Sequence, residues 1–188
     1  RRFGIVPDRA GTRSALTFIT GAPSGREIQL AGGVRIRIEF DCARLYRERP
    51  TPEDGTLSVD FPEEGRVVEG EVTLGGRRLR LSARRVSEDA RDDGSTAGDG
   101  RWRVRIRVPP DRFPLTVRSR VPGDRVKTRA GTRSLKKLMI DARIPSSERS
   151  SRPVVVDAAG QIVWVPGLPV VPPDTPDAPP VELTVTEV

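Results

Sequence analysis

Residues 25–40 read GREIQLAGGVRIRIEF, and the order of side chains in this stretch decides the fold class. Val34, Ile36, Ile38 and Phe40 alternate with Arg35, Arg37 and Glu39. A period of two puts the apolar set on one face of a strand and the charged set on the other. Gly32–Gly33 between two such runs predicts a tight turn, and therefore a hairpin. The same alternation returns downstream in TLSVDF (56–61), RVVEGEVTL (66–74), RRLRLSARRV (77–86) and RWRVRIRV (101–108). In the last of these Val104, Ile106 and Val108 oppose Arg103, Arg105 and Arg107. That arginine face reads as the wet side of a half-buried antiparallel sheet, with contact to nucleic acid as the alternative. ARLYRER (43–49) continues the first sheet.

Helices are few. Residues 9–20 form an amphipathic helix with Ala15, Leu16, Phe18 and Ile19 on its apolar side, ended by Gly21 and Pro23. SLKKLMIDA (134–142) predicts a short helix with Ser134 as N-cap. Its core face is Leu135, Leu138, Met139 and Ala142. PVVVDAAGQIVWVPG (153–167) predicts two strands joined by a turn at Asp157–Gly160, both suited to a central position in a sheet. Trp164, flanked by valines, reads as core rather than as a base-stacking group. The fold class is α+β, mostly antiparallel β with few short helices. VPPDRFP (108–114), with three prolines, sets an expected boundary at 112 between two small domains. These are 1–112, a helix plus β-rich substrate-binding or connecting region, and 113–188, a C-terminal domain. Residues 87–100, acidic and without bulky apolar groups, predict a flexible loop. Its Asp89, Asp92, Asp93 and Asp99 have no spacing that fixes a cation site. Pro166–Pro180 holds seven prolines and must be extended or irregular, and VELTVTEV (181–188) reads as a last strand returning to the sheet.

Composition excludes several classes. The 188 residues include 18 Pro, 18 Gly, one Cys and no His, with 35% hydrophobic and 4% aromatic content. Without histidine there is no Ser-His-Asp or Cys-His chemistry and no His-ligated zinc. A lone Cys42 leaves no internal disulfide and no multi-cysteine metal site. No apolar run approaches the roughly 18 residues of a membrane span, and no signal peptide is visible. The chain starts at Arg1 without a methionine and reads as the C-terminal piece of something longer.

Charge is concentrated. Lys+Arg number 33 against 26 Asp+Glu, a net charge of +7. Between Leu115 and Ile140 stand Arg118, Arg120, Arg125, Lys127, Arg129, Arg133, Lys136 and Lys137 against Asp124 alone, which accounts for the whole excess. All three lysines lie there. Such a strip is either a phosphate-binding patch or a solvated basic face. Ser134, Lys136 and Lys137 at a helix start read as an ordinary N-cap or an anion site. Scarce aromatics argue against a generic single-strand binder.

Four fragments then fall in order. R-x-R-x-P-G-D-R occupies 118–125, G-x-x-S-L-K-K-L-x-x-D-A occupies 131–142, I-P-x-x-x-R-x-x-x-P-V-V-x-D occupies 144–157, and G-x-I-V-W-V-x-G occupies 160–167. Each is weak alone, but the ordered set resembles the C-terminal domain of bacterial tRNA(Ile)-lysidine synthetases, the TilS family. Ser146, Ser147 and Glu148 depart from the bulky apolar residues that often follow Ile-Pro in that family, and LPVVPPDTP replaces a polar run after Gly167. The resemblance implies an ATP-dependent ligase that attaches lysine to cytidine 34 of the tRNA(Ile) anticodon, by adenylation of the base and displacement of AMP. The family's catalytic S-G-G-x-D-S loop is absent, since SGR (24–26) and GDGR (98–101) do not match it.

The resemblance therefore implies a fragment with no catalytic residue, no metal site and no cofactor of its own. ATP with Mg belongs to a missing N-terminal domain. Arg118, Arg120, Arg125, Arg133, Lys136, Lys137 and Arg149 are the expected tRNA contacts, and Arg149 has an ion pair with Asp141 or Asp157 as its alternative role. Expected partners are tRNA(Ile) and the catalytic domain of the same protein, in the cytoplasm, with no membrane and with a homodimer left open. The alternative function is a noncatalytic protein-interaction or scaffolding module with a basic surface.

Overall fold

A computed structural model describes residues 8–47, 53–87, 101–173 and 175–188. The chain divides into two compact units, Arg1–Thr51 and Pro52–Val188. The expected loop at 87–100 lies almost wholly outside the described residues.

In the first unit, α1 (Arg9–Gly21) starts at Asp8, whose carboxylate accepts the Gly11 N–H at 2.7 Å. β1 (Glu27–Gln29), β2 (Val34–Glu39) and β3 (Cys42–Arg47) form an antiparallel sheet in that order. Val34, Ile36 and Ile38 are buried, as their alternation requires. Two expectations change. Leu16 and Ile19 of α1 are 58% and 38% exposed, leaving Ala15 and Phe18 half-buried as the helix's inner stripe. Phe40 leaves the strand at φ 53°, because Glu39 pairs with Cys42 and Phe40–Asp41 must make the two-residue turn between β2 and β3.

The second unit begins with β4 (Leu57–Val59), β5 (Val67–Leu74), β6 (Arg77–Arg85) and β7 (Arg101–Ile106), followed by β8 (Leu115–Arg118), β9 (Arg125–Thr128) and β10 (Gly131–Ser134). Next come α2 (Leu135–Asp141), α3 (Ser146–Arg149), β11 (Val154–Val156), β12 (Ile162–Trp164) and β13 (Val181–Glu187). One four-stranded sheet has the order β5-β6-β13-β7, the other β12-β11-β8-β4, and β9 and β10 pair as a hairpin. Partners are antiparallel throughout. The inner faces of the two sheets share one core, with Leu74, Leu79, Leu81 and Leu183 from the first and Leu115, Val117, Val155 and Trp164 from the second. Trp164 is thus core.

β11 is buried on both sides, as expected for a central strand. Val155 faces the sheet-on-sheet core, while Val154 and Val156 join Val126, Leu135, Leu138 and Met139 in a second cluster beneath α2 and the hairpin. Ala142, placed on the apolar face of α2 by its spacing, is exposed at the helix end instead.

The expected boundary at residue 112 falls inside this unit. β4 pairs with β8 across it, and β13 lies between β6 and β7. The prolines at 109, 110 and 114 break local structure, but the backbone pairing on either side is shared. Two side chains fasten the layers. Asp157, with no exposed side-chain surface, pairs with Arg112 at 3.1 Å and accepts the N–H groups of Ala159 and Gln161 at 3.0 and 2.8 Å. Arg152 lies 5.3 Å over the ring of Trp102, and burial pushes its guanidinium below its ordinary value. The β5–β6 turn is Gly75–Gly76, both at positive φ, and a Cβ on Gly75 would lie 2.7 Å from the backbone N of Ser151.

Candidate nucleic-acid interface

The basic strip folds into three consecutive pieces: the 118–125 turn, the β9–β10 hairpin and α2. In the hairpin Val126 stands opposite Arg133, and Arg125 opposite Ser134. Val126 is buried, so its parity points inward. Arg125 and Lys127 therefore share the outer face with Thr132 and Ser134, and both cations are exposed. Arg129 and Ala130 form the turn, closed by Thr128 Oγ1 donating to the Gly131 carbonyl at 2.8 Å. α2 follows β10 without a break. Its burial of Leu135, Leu138 and Met139 leaves Lys136 and Lys137 in solvent. Arg125, Lys127, Arg129, Lys136 and Lys137 make no side-chain ion pair among the described residues.

Three of the other expected contacts have structural partners. Arg118 grips Asp124 with two hydrogen bonds of 3.0 and 2.8 Å and donates to the Ser119 carbonyl at 2.9 Å. Asp124 also accepts the Val121 N–H at 2.8 Å, so this pair builds the turn that aims Arg125 outward. Arg133 is held by Asp141 at 2.6 Å. Arg149 is half-buried and donates from Nε to the Ile144 carbonyl at 2.8 Å, while Asp141 pairs with Arg133 and Asp157 with Arg112. Arg120 is half-buried, and its Nε has no hydrogen-bond partner among the described residues.

Ser134 precedes α2, but its side chain makes no cap bond, and the Leu135 N–H is taken by the Asp124 carbonyl at 2.9 Å. The seven-residue helix thus offers no built anion site at its start. Spacing along the chain identifies the strip but cannot separate cations held by carboxylates from those facing solvent. Lys127 and Arg129, absent from the expected contacts, belong to the exposed set. The strand register, which alternates Lys127 with buried Val126, was the signal available for Lys127.

The arginines at 103, 105 and 107 are engaged within the chain, by β13 and by the segments flanking the sheet. Arg103 is 3.8 Å from Glu182, Arg105 donates to the Ser87 carbonyl at 2.8 Å, and Arg107 donates to the Pro176 and Ala178 carbonyls at 3.1 and 3.3 Å. These contacts favour the wet-side reading.

In the first unit, Glu27 accepts from Arg35 at 2.7 Å, from Arg37 Nε at 2.9 Å and from the Tyr46 hydroxyl. The hydroxyl and the two guanidinium groups hold its carboxyl at about 2, against an ordinary 4.5, and burial raises Tyr46. A depressed carboxyl contributes stability that is fully present above its unfolded value and is lost as the pH falls through its folded one. Glu27→Gln is expected to reduce hydrogen-exchange protection of the β2 amides by about 1–2 kcal/mol at pH 7, the partial exposure of the cluster keeping the figure modest. The gap from the unsubstituted chain should close between about pH 4.5 and pH 2. A gap that persists undiminished at pH 2 would show that the cluster acts through shape rather than charge.

The SGR stretch at 24–26 is a turn whose Ser24 Oγ accepts the Phe40 N–H at 2.9 Å, and it leads into β1 rather than into the N-terminus of a helix. GDGR at 98–101 lies outside the described residues except Arg101. Among the described residues there is no cluster of His, Cys, Asp or Glu able to hold a metal ion, and Asp89, Asp92, Asp93 and Asp99 lie outside them. No helix among them is long and apolar enough to cross a membrane.

Comparison with known proteins agrees with the resemblance drawn over residues 118–167. Residues 115–178 match the family described as the TilS substrate C-terminal domain. The tRNA(Ile)-lysidine synthase of Bacillus subtilis (strain 168) is 48% identical over 59 residues, which is 30% of this chain and 12% of that protein. The tRNA(Ile)-lysidine synthase of Symbiobacterium thermophilum is 28% identical over 166 residues, or 86% of this chain and 33% of its own length. The chain thus spans about a third or less of these curated relatives. A solved structure, "Crystal structure of TILS C-terminal domain", aligns with a TM-score of 0.51 and 26% identity, over 71% of this chain and 98% of that one. The chain itself is α+β, mostly antiparallel with three short α-helices among the described residues, and its fold matches that domain.

Proposed function

We propose that this chain, which carries the TilS substrate C-terminal domain over residues 115–178, is the tRNA-holding portion of a tRNA(Ile)-lysidine synthase. In this reading it docks the phosphate backbone of tRNA(Ile) on the outer face of the β9–β10 hairpin and the solvent face of α2. The lysine-transferring chemistry, with ATP and Mg, belongs to a catalytic domain of the same protein, which is its second partner. A cytoplasmic setting goes with that substrate. The observation that carries the reading is the exposure of Arg125, Lys127, Lys136 and Lys137 on adjoining elements, without carboxylate partners among the described residues. In this reading Arg118 and Arg133, held by Asp124 and Asp141, support that surface rather than form it.

Each cation that displaces a counterion from phosphate steepens the salt dependence of binding by about 0.7–0.9 in log–log slope. Filter binding of the chain to a tRNA(Ile) transcript between 50 and 200 mM KCl is expected to give a slope near −3, roughly a 60-fold loss of affinity. Binding that is flat across this range would leave the strip without a role in RNA contact. It would favour the alternative of a protein-interaction module.

A further inference from the structure

Behind the hairpin tip lies a groove of about 560 Å³ that the phosphate strip does not use. Its construction follows from the proline-rich tail. Pro169 and Pro172 keep the chain extended, and the Val171 N–H donates to the Lys127 carbonyl at 2.9 Å, which lays the tail along the free edge of β9. The tail and the hairpin tip become two walls. The floor is apolar, lined by Leu138 of α2 with Pro169 and Val171, and Val171 is 37% exposed. The rim is polar: Thr128, Arg129 at the turn, and Arg133, whose guanidinium is fixed by Asp141 at 2.6 Å. Among the described residues no carboxylate lines the groove.

An apolar floor of this size beneath a cationic rim suits a flat apolar body attached to an anion. A nucleotide taken out of its stack is such a body: its base covers apolar surface or lies on an arginine plane, and its phosphate meets a second cation. The geometry points to this groove as a seat for one unpaired nucleotide of the bound RNA, with its base over Leu138 and Val171 and its phosphate on Arg129. The inference rests on the RNA-binding reading above and adds what that reading lacks, a place where an unpaired base differs from a paired one.

The test compares two RNA probes on the whole chain: a blunt 12-base-pair duplex and the same duplex with one unpaired 3′ nucleotide. The overhang is expected to bind about fivefold to tenfold tighter than the blunt duplex, within the range of a single base contact. Val171→Asp should bring the ratio close to one, and Arg129→Glu, at an exposed turn that carries no core packing, should lower it as well. Two probes bound equally, or a ratio that survives both substitutions, would overturn the groove while leaving the strip intact. Failure of the unsubstituted chain to bind either probe in a salt-dependent way would overturn the RNA-binding reading, and the groove with it.

Discussion

Replacing Arg125, Lys127, Lys136 and Lys137 together by alanine is expected to weaken tRNA binding roughly 100-fold at 0.1 M salt and to flatten the log–log salt slope by about 3. The four side chains are exposed, so their loss removes charge without opening the core beneath Val126 and Leu138. The control is Arg118→Ala. Arg118 spends its guanidinium on Asp124 and Ser119, so its removal should loosen the 119–124 turn and lower stability while changing the salt slope little. Filter binding and urea melts on the same preparations separate the two effects. If the quadruple variant kept its slope while Arg118→Ala lost it, the assignment of surface and support would be reversed.

The second large effect concerns the fold. Gly75→Ala is expected to cost about 3 kcal/mol, against about 1 kcal/mol for Gly160→Ala. Both glycines have positive φ, 54° and 79°, so both substitutions place an L residue in the left-handed region. They differ in what the new methyl would meet. At Gly160 there is nothing within 4 Å, whereas at Gly75 the backbone N and Cα of Ser151 stand at 2.7 and 2.9 Å. Backbone cannot rotate away as a side chain can, so the β5–β6 turn or the segment before β11 has to shift. The difference of about 2 kcal/mol between the two variants, read from urea midpoints at constant m, measures how tightly the two sheets are seated. Equal losses would mean that the turn yields freely.

Local order was legible in the sequence wherever a period was kept. The alternations at Val34–Ile38 and Leu79–Ala83, and the helical spacing of Leu135, Leu138 and Met139, each name their buried face correctly. Phe40 was not legible, because alternation does not say where a strand stops and only the Glu39–Cys42 pairing makes Phe40 a turn residue. The prolines that set the expected boundary at 112 report local backbone, whereas the union of β4 with β8 and of β13 with β6 and β7 spans long stretches of chain, which no local signal shows. At the interface, composition located the strip but not its division of labour. Arg118 and Arg125 are alike as letters, and only Asp124, folded back on Arg118, sets them apart. The groove was invisible for want of one fact, that residues 169–172 run beside β9.

That β13 is a central strand bears on how the molecule is made. Val181 pairs with Arg85 on one side and Ile106 on the other, so about 75 residues must emerge after β7 before the gap between β6 and β7 can be filled. Until then two strands with apolar inner faces wait with open edges, the situation in which nascent chains stick to one another. Non-local pairing of this kind also puts the entropy of loop closure ahead of its reward, which slows folding. On the ribosome this unit is therefore a late folder, vulnerable for most of its own synthesis, and dependence on chaperones would follow from its topology alone.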